Sequence, residues 1–208
     1  VVLADMQPRA SLGFVDVRRD RAHGDCLGLR ACSGETVEQG EFASTVSLIK
    51  ALNWLVTADV SVINISLAGP PNRLLETALN RVRQKGILAV AAAGNGGPMA
   101  KPMYPAAYPE VVAVTATDSR GRAFRLANRG EYVDIAAPGV NIRHARAGGG
   151  FIASSGTSYA VPFVTVAAAR LMQSTSEPAA MLDRLYASAL DIGAPGRDQI
   201  YGYGQLRF

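Results

Sequence analysis

The chain has 208 residues, of which 49% are hydrophobic, and it carries a formal net charge of +4. This length and composition are enough to bury one substantial core, so a single domain over residues 1–208 is the simplest organisation. The longest apolar run is far shorter than a membrane span, and the arginines are scattered rather than interleaved with aromatic residues. The composition therefore argues against a membrane span in this chain and against nucleic-acid binding.

Two cysteines, Cys26 and Cys32, bracket a short loop. In an oxidising compartment this loop could close as a disulfide, and two free thiols are the alternative. Two cysteines without paired histidines cannot complete a zinc shell, so we expect no metal site here. A bridge would favour a secreted or periplasmic protein.

The first part of the chain predicts a strand, an irregular segment and a helix. Residues 11–17 have the apolar pattern of a strand. The polar, glycine-containing segment 18–41 follows neither a helical nor a strand period, so we expect an exposed insertion loop there. Apolar residues then recur at helical spacing at Leu48, Leu52 and Leu55, which predicts a helix.

Short apolar blocks then alternate with amphipathic segments. Strands are predicted at residues 60–65, 87–92, 111–115 and 132–135. Asn72 is expected to cap one helix that ends at Lys85 and Gly86, a second helix begins near Ser158, and a third begins at Pro178. Such alternation is typical of a parallel sheet covered on both faces. We therefore predict an α/β fold with a doubly wound, mostly parallel sheet flanked by helices.

Three polar or glycine-rich segments follow predicted strands at one edge of this sheet. They are residues 66–69, residues 93–96 and the approach to Ser158. Ligands of open parallel sheets bind beyond the carboxyl ends of the strands. A serine at a helix start, with extended backbone on two sides, suits a peptide substrate.

Several short motifs, taken in order, resemble those of the subtilisin-like serine proteases, from about Ser11 onward. Supporting matches lie at residues 104–105, 112–118, 136–139 and 202–204. The main matches are Gly156-Thr157-Ser158-Tyr159-Ala160-Val161-Pro162 for the nucleophile motif, Ala92-Ala93-Gly94-Asn95 for the oxyanion asparagine, and Val62-Ile63-Asn64-Ile65-Ser66-Leu67-Ala68-Gly69 for the substrate-binding strand.

The resemblance implies a role for each matched segment. Ser158 would attack a peptide carbonyl, with a histidine as base and an aspartate to orient it. Asn95 would donate its side-chain amide to the oxyanion, together with the backbone N–H of Ser158. The substrate would be a polypeptide whose backbone pairs with Ser66, Leu67, Ala68, Gly69, Ala93 and Gly94.

The resemblance implies no required cofactor. Some relatives hold a structural calcium ion, and Asp118 is the residue that could contribute to a cation site. We expect Asp118 to be a turn carboxylate instead.

The sequence departs from the family in lacking the Asp-Thr/Ser-Gly and His-Gly-Thr motifs that carry the other two triad residues. Its two histidines lie elsewhere: Gly24 and Asp25 follow His23, and His144 is expected to be a solvated loop residue. Asp16, His23 and Ser158 could form a compressed triad, but the strand of Asp16 aligns better with the one after the family's histidine helix.

The spacing back from Asn95 favours a chain that begins after the histidine helix. We therefore expect the family's first strands, its aspartate and its histidine to lie upstream of Val1 in a longer protein. That N-terminal segment would be a necessary partner of this chain, which alone should be inactive.

Two further expectations concern residues near the cleft. The Tyr104-Pro105 bond is predicted to be cis. Met103 occupies a position where relatives have a small residue, which indicates a shallow apolar pocket that prefers small or medium side chains.

Two functions agree with this sequence. The first is a serine endopeptidase of the subtilisin type. The second is a non-catalytic peptide-binding or scaffolding module with a protease-like fold.

Overall fold

The computed structural model describes residues 12–17, 29–34, 45–58, 60–146, 149–174 and 178–207. Its twelve elements in chain order are β1 (Leu12–Val17), β2 (Leu29–Gly34), α1 (Thr45–Thr57), β3 (Val62–Ile65), α2 (Arg73–Gln84), β4 (Leu88–Ala92), β5 (Val111–Thr117), β6 (Ile135–Pro138), β7 (Ile142–Ala145), β8 (Phe151–Ser154), α3 (Thr157–Ser174) and α4 (Pro178–Ala187).

The centre of the fold is a four-stranded parallel sheet with the order β3-β4-β5-β6. Two antiparallel pairs, β1 with β2 and β7 with β8, accompany it. Helices α1 and α2 pack on one face of the sheet, and α3 and α4 pack on the other. The predicted α/β fold, with a mostly parallel sheet between helices, is confirmed.

Alternate residues of each strand bury different faces. Along β4, Ala89 and Ala91 pack with the first helix pair, whereas Val90 and Ala92 pack with the second. Every residue of β4 is therefore buried, which explains why the strand reads as a continuous apolar run. Helix α3 contacts all four strands of the sheet.

The boundaries of α2 follow from local chemistry, as predicted. The Asn72 side-chain oxygen accepts hydrogen bonds from the backbone N–H groups of Leu74 (3.0 Å) and Leu75 (3.1 Å). These groups have no partner within the helix, so the cap stabilises its first turn. Lys85 caps the other end, and Gly86 follows with a φ of 75°.

The structure differs from the predicted elements in three places. Strand β6 begins at Ile135, where the predicted strand ends. The pair β7 and β8 was not predicted, because three of the four residues of β8 are exposed and show no alternation. Strand β2 lies within the segment 18–41 that we expected to be an exposed loop.

Two expectations concern residues that lie outside the described part of the chain. Cys26 is one of them, so the Cys26–Cys32 disulfide stays a prediction. His23 is the other, so the compressed triad is not tested. Within the described residues, no helix combines the length and apolar character needed to cross a membrane.

Candidate active site

Ser158 is the second residue of α3 and is half-buried. Its hydroxyl donates a long hydrogen bond of 3.4 Å to the backbone oxygen of Ser66. The Ser66 hydroxyl in turn donates to the backbone oxygen of Ser158 at 3.2 Å. The carboxyl end of β3 and the first turn of α3 are thus joined by two reciprocal bonds. Because Ser158 lies in the first turn, its backbone N–H has no acceptor within the helix.

Asn95 lies beyond the carboxyl end of β4 and is fixed by Thr157. Its side-chain oxygen accepts hydrogen bonds from the Thr157 backbone N–H (2.9 Å) and the Thr157 hydroxyl (3.0 Å). A backbone N–H can only donate, so the amide oxygen must face Thr157 and the amide nitrogen must face away. Among the described residues, none accepts a hydrogen bond from the Asn95 Nδ2 atom. The exposed amide therefore has donors that no described residue uses, next to the segment that leads into Ser158.

Gly156 allows Asn95 to lie this close. A Cβ atom at Gly156 would be 3.2 Å from the Asn95 Nδ2 atom, tighter than ordinary van der Waals contact. The Gly156 N–H donates to the backbone oxygen of Gly139 at 2.8 Å, which anchors the approach to Ser158 on the loop after β6. The glycine before Thr157 thus leaves room for the amide.

Asn128 is a structural residue of the site that the sequence analysis missed. It is fully buried, its side-chain oxygen accepts from the Gly96 N–H (2.7 Å), and its amide donates to the Lys101 backbone oxygen (3.3 Å). Its own N–H donates to the Gly94 backbone oxygen at 3.0 Å. Asn128 therefore holds the loop around Asn95 in place. An asparagine in a predicted loop carries no sequence signal for such a role.

In the segment 66–69, some backbone groups form hydrogen bonds with described residues and others do not. Gly69 forms an antiparallel bridge with Tyr104, through N–H···O bonds of 2.7 and 2.9 Å. In the described part of the chain, the backbone groups of Leu67 and Ala68 have no hydrogen-bond partner. Leu67 and Ala68 are thus the residues of this segment whose backbone can pair with a ligand.

Ala93 and Gly94 already use their backbone groups inside the protein. Ala93 donates to Val114 (2.9 Å) and accepts from the Tyr132 hydroxyl (2.9 Å). The Gly94 N–H donates to the Thr157 hydroxyl at 3.3 Å. A substrate could reach only the remaining lone pairs of their carbonyl oxygens.

Met103 packs over Gly94. A Cβ atom at Gly94 would be 3.2 Å from Met103 Cγ and 2.7 Å from Asn128 Nδ2.

The Tyr104-Pro105 bond that follows Met103 is cis, which confirms the prediction. Burial raises the pKa of the nearby Tyr132, so its hydroxyl stays protonated and can donate to Ala93.

His144 is buried, so the expectation of a solvated loop residue is wrong. It lies on β7, with its Nε2 atom 2.9 Å from the Ser154 hydroxyl and its ring centre 5.0 Å from that of Tyr159. The ring packs against α3, a non-local contact that the local sequence could not reveal. No hydrogen bond joins His144 to Ser158 in the described structure.

Asp118 is a turn carboxylate, as expected. Its oxygens accept from the backbone N–H groups of Arg120 (2.9 Å) and Arg122 (3.0 Å) and from the Arg122 side chain (2.8 Å). The backbone hydrogen bond from Arg122 is the main cause of a lowered Asp118 pKa. The described residues include no group of three or more His, Cys, Asp or Glu side chains that could hold a metal ion.

A groove of about 570 Å³ lies elsewhere, between α3, α4 and the end of the chain. Pro162, Phe163 and Leu185 are among the residues that line it. It includes none of the predicted site residues.

A family model and individual relatives both match this chain, and they agree on the same family. The model of the subtilase family matches residues 18–204. Subtilisin of Bacillus pumilus is 35% identical over 153 residues, which are 71% of this chain and 56% of the relative. Minor extracellular protease Epr of Bacillus subtilis (strain 168) is 31% identical over 84% of this chain and 27% of its own length. The chain therefore spans only about a quarter to a half of these relatives.

Solved structures show the same similarity. The prenylagaramide maturation protease PagA has a TM-score of 0.73 and 29% identity, with 82% of this chain and 67% of that chain covered. The S218A mutant of the protease domain of PatA has a TM-score of 0.72 and 32% identity, with 82% and 64% covered. The family model, the relatives and these structures agree, and the chain belongs to the subtilase family.

Proposed function

We propose that this chain provides the nucleophile, an oxyanion donor and the substrate cleft of a serine endopeptidase. The observation that carries the proposal is the Asn95 amide, which Thr157 orients so that its free N–H groups lie beside the Ser158 motif. A helix-cap serine alone would need no such neighbour. A preorganised donor at this position stabilises the negative charge that develops in acyl transfer.

The proposed reaction begins with attack of the Ser158 oxygen on the peptide carbonyl, while a histidine takes the hydroxyl proton. The carbonyl oxygen becomes an oxyanion and accepts hydrogen bonds from Asn95 Nδ2 and the Ser158 N–H. The tetrahedral adduct expels the amine, which takes the proton, and leaves an acyl-enzyme on Ser158. Water then attacks the carbonyl of the acyl-enzyme while the histidine takes its proton. The second tetrahedral adduct expels the Ser158 oxygen, which takes that proton, and the carboxylic acid is released. This mechanism uses no cofactor, and a structural calcium ion stays without support.

The base and its aspartate are proposed to come from residues upstream of Val1 in a longer protein. His144 is engaged with Ser154, and it makes no hydrogen bond to Ser158. The chain also spans 56% of the Bacillus pumilus subtilisin. On this proposal the isolated chain is inactive because Ser158 lacks its base.

The substrate is proposed to be an extended polypeptide that lies along Leu67 and Ala68, whose backbone groups are free among the described residues. Pairing with backbone supports binding that depends little on sequence. Met103 would narrow the first specificity pocket, so that small or medium side chains fit best. A secreted or periplasmic location is proposed as well, since one relative is named an extracellular protease.

A fluorophosphonate probe tests the proposal, because it labels only an activated serine. The full-length protein should be labelled at Ser158, and Ser158→Ala should abolish the label. Ser155→Ala is a matched control, since its hydroxyl accepts from the Asn141 N–H and is not at the helix start. A folded full-length protein that binds peptides but takes no label would support the second function, a non-catalytic peptide-binding module.

A further inference from the structure

The loop that carries Asn95 is bordered by an unusually basic surface. Residues 94–103 and 119–130 together contain five basic residues and no Asp or Glu: Lys101, Arg120, Arg122, Arg125 and Arg129. Arg122 forms an ion pair with Asp118 at 2.8 Å. In the described structure, Lys101, Arg125 and Arg129 have no ion pair, and all three are exposed. We call these three residues the cationic rim.

Hydrogen bonds fix the cationic rim next to Asn95. The Gly97 N–H donates to the backbone oxygen of Leu126, the neighbour of Arg125, at 2.8 Å. Asn128, the neighbour of Arg129, accepts from the Gly96 N–H at 2.7 Å and donates to the Lys101 backbone oxygen. Lys101 itself accepts one of these hydrogen bonds, and Arg125 and Arg129 are each adjacent to a residue that forms one. All three residues are therefore held near the Asn95 loop.

The two carboxylates that flank these segments in the sequence, Asp118 and Glu131, are too few to neutralise five basic residues. Asp118 is bonded to Arg120 and Arg122, and its charge is committed to that turn. The next carboxylate along the chain, Glu131, accepts a hydrogen bond from the neutral side chain of Gln199 at 2.7 Å, and among the described residues it forms no ion pair with the rim. Unpaired cations along a cleft create a positive potential that raises the local concentration of anionic ligands.

We propose that the cationic rim makes peptides with Asp or Glu close to the scissile bond the preferred substrates of this cleft. The inference rests on the proposed peptide cleft and adds a substrate class to it. Backbone pairing at Leu67 and Ala68 is indifferent to sequence, whereas the rim distinguishes peptides by charge. The attraction acts through exposed charges and is therefore sensitive to salt.

The test uses the full-length protein with Ser158→Ala, which binds without cleavage. Fluorescence anisotropy measures the affinity for two labelled peptides that are identical except for three Glu or three Gln residues around a central alanine. The Glu peptide should bind on the order of tenfold more tightly at low salt, the effect of two or three exposed ion pairs. The difference should shrink severalfold between about 0.05 and 0.5 M salt.

Arg125→Glu combined with Arg129→Glu should abolish or reverse the preference, and the double Gln variant should reduce it if the double Glu variant does not fold. The matched control is Arg81→Glu with Arg170→Glu, because Arg81 lies in the last turn of α2 and Arg170 is 12 residues along α3 from Ser158, about 18 Å. Equal binding of both peptides to the parent protein would overturn the acidic preference alone. Binding of neither peptide would overturn it together with the peptide cleft.

Discussion

The side-chain oxygen of Asn95 accepts hydrogen bonds from both the backbone N–H and the hydroxyl of Thr157, at 2.9 and 3.0 Å. The residue before Ser158 thereby orients the amide that we propose as the oxyanion donor. Asn95→Ala in the full-length enzyme should lower kcat by about 10²–10³-fold, the magnitude established for a subtilisin, with little change in KM. Steady-state kinetics checks this. Asn80→Ala on α2 is the control, and an Asn95→Ala enzyme with unchanged kcat would refute the role of the amide.

Thr157→Val keeps the shape of the side chain and the backbone N–H but removes the hydroxyl that bonds Asn95 and accepts from Gly94. We expect kcat to fall by up to about tenfold, since one hydrogen bond contributes roughly 0.5–1.5 kcal/mol, while KM stays constant. Thr165→Val on the same helix is the matched control, because its buried hydroxyl bonds the Val161 oxygen one turn earlier and lies farther along the helix, away from Asn95. A larger loss in the Thr165 variant would show that the effect is one of helix stability.

Gly94→Ala should destabilise the fold. The residue has a φ of 110°, and the new Cβ would lie 2.7 Å from the buried Asn128 amide. Gly86→Ala has a φ of 75° with no atom within 4 Å, so it carries the backbone cost alone, about 1–2 kcal/mol. The clash should make the Gly94 variant about 1–3 kcal/mol less stable than the control. Urea denaturation measures the free energy of unfolding, and equal losses would contradict the packing around Asn128.

Met103→Ala should enlarge the first specificity pocket that we propose beside Gly94. The ratio of kcat/KM for cleavage after phenylalanine to that after alanine should rise by about tenfold or more, because space is gained for a large side chain. Met99→Ala removes an equal volume from a residue that is 96% exposed and should leave the ratio unchanged. If the parent enzyme already prefers large aromatic side chains, Met103 does not limit the pocket.

Asp118 should make the stability of the fold depend on pH in the acidic range. Its pKa lies below the ordinary value of 3.8, so the folded state binds a proton less tightly than the unfolded chain. The stabilisation is present above about pH 4 and is lost as pH falls through the folded-state pKa. Asp118→Asn should therefore lower Tm at pH 6, and the difference from the parent should shrink as the pH falls below about 4 and through the folded-state pKa. Thermal unfolding followed by circular dichroism checks both points, and a constant difference would exclude the ionised carboxylate as its cause.

The parallel sheet and its helices were predictable because the strands are continuous apolar runs and the helices bury residues at helical spacing. Strand β4 is buried on both faces, and α2 carries its own cap in Asn72. Both features are visible within a few residues of sequence. The roles of Ser158 and Asn95 were predicted from the resemblance of short motifs to those of the subtilisin-like proteases, because such motifs can be recognised within a few residues of sequence.

The remaining features depend on contacts between distant segments. Asn128 acts across 32 residues on Gly96, and His144 is buried by Tyr159 on another element. The backbone of Leu67, which has no partner among the described residues, and the engaged backbone of Gly94 also differ only through tertiary bonds. A short stretch of sequence cannot predict these features, because the residue that makes the decisive contact lies far away in the chain.

Helix α3 carries Ser158 at its start and rests on every strand of the parallel sheet. Its interior residues Ala160, Val164 and Ala168 are completely buried against that sheet. Amide protons in the middle of α3 should therefore exchange with solvent deuterium only when the whole domain unfolds. The loop around Asn95 is held by a few hydrogen bonds from Asn128 and its neighbours rather than by a helix packed across the sheet, and we expect it to open earlier. Gradual heating should thus displace Asn95, the proposed oxyanion donor, before it displaces Ser158.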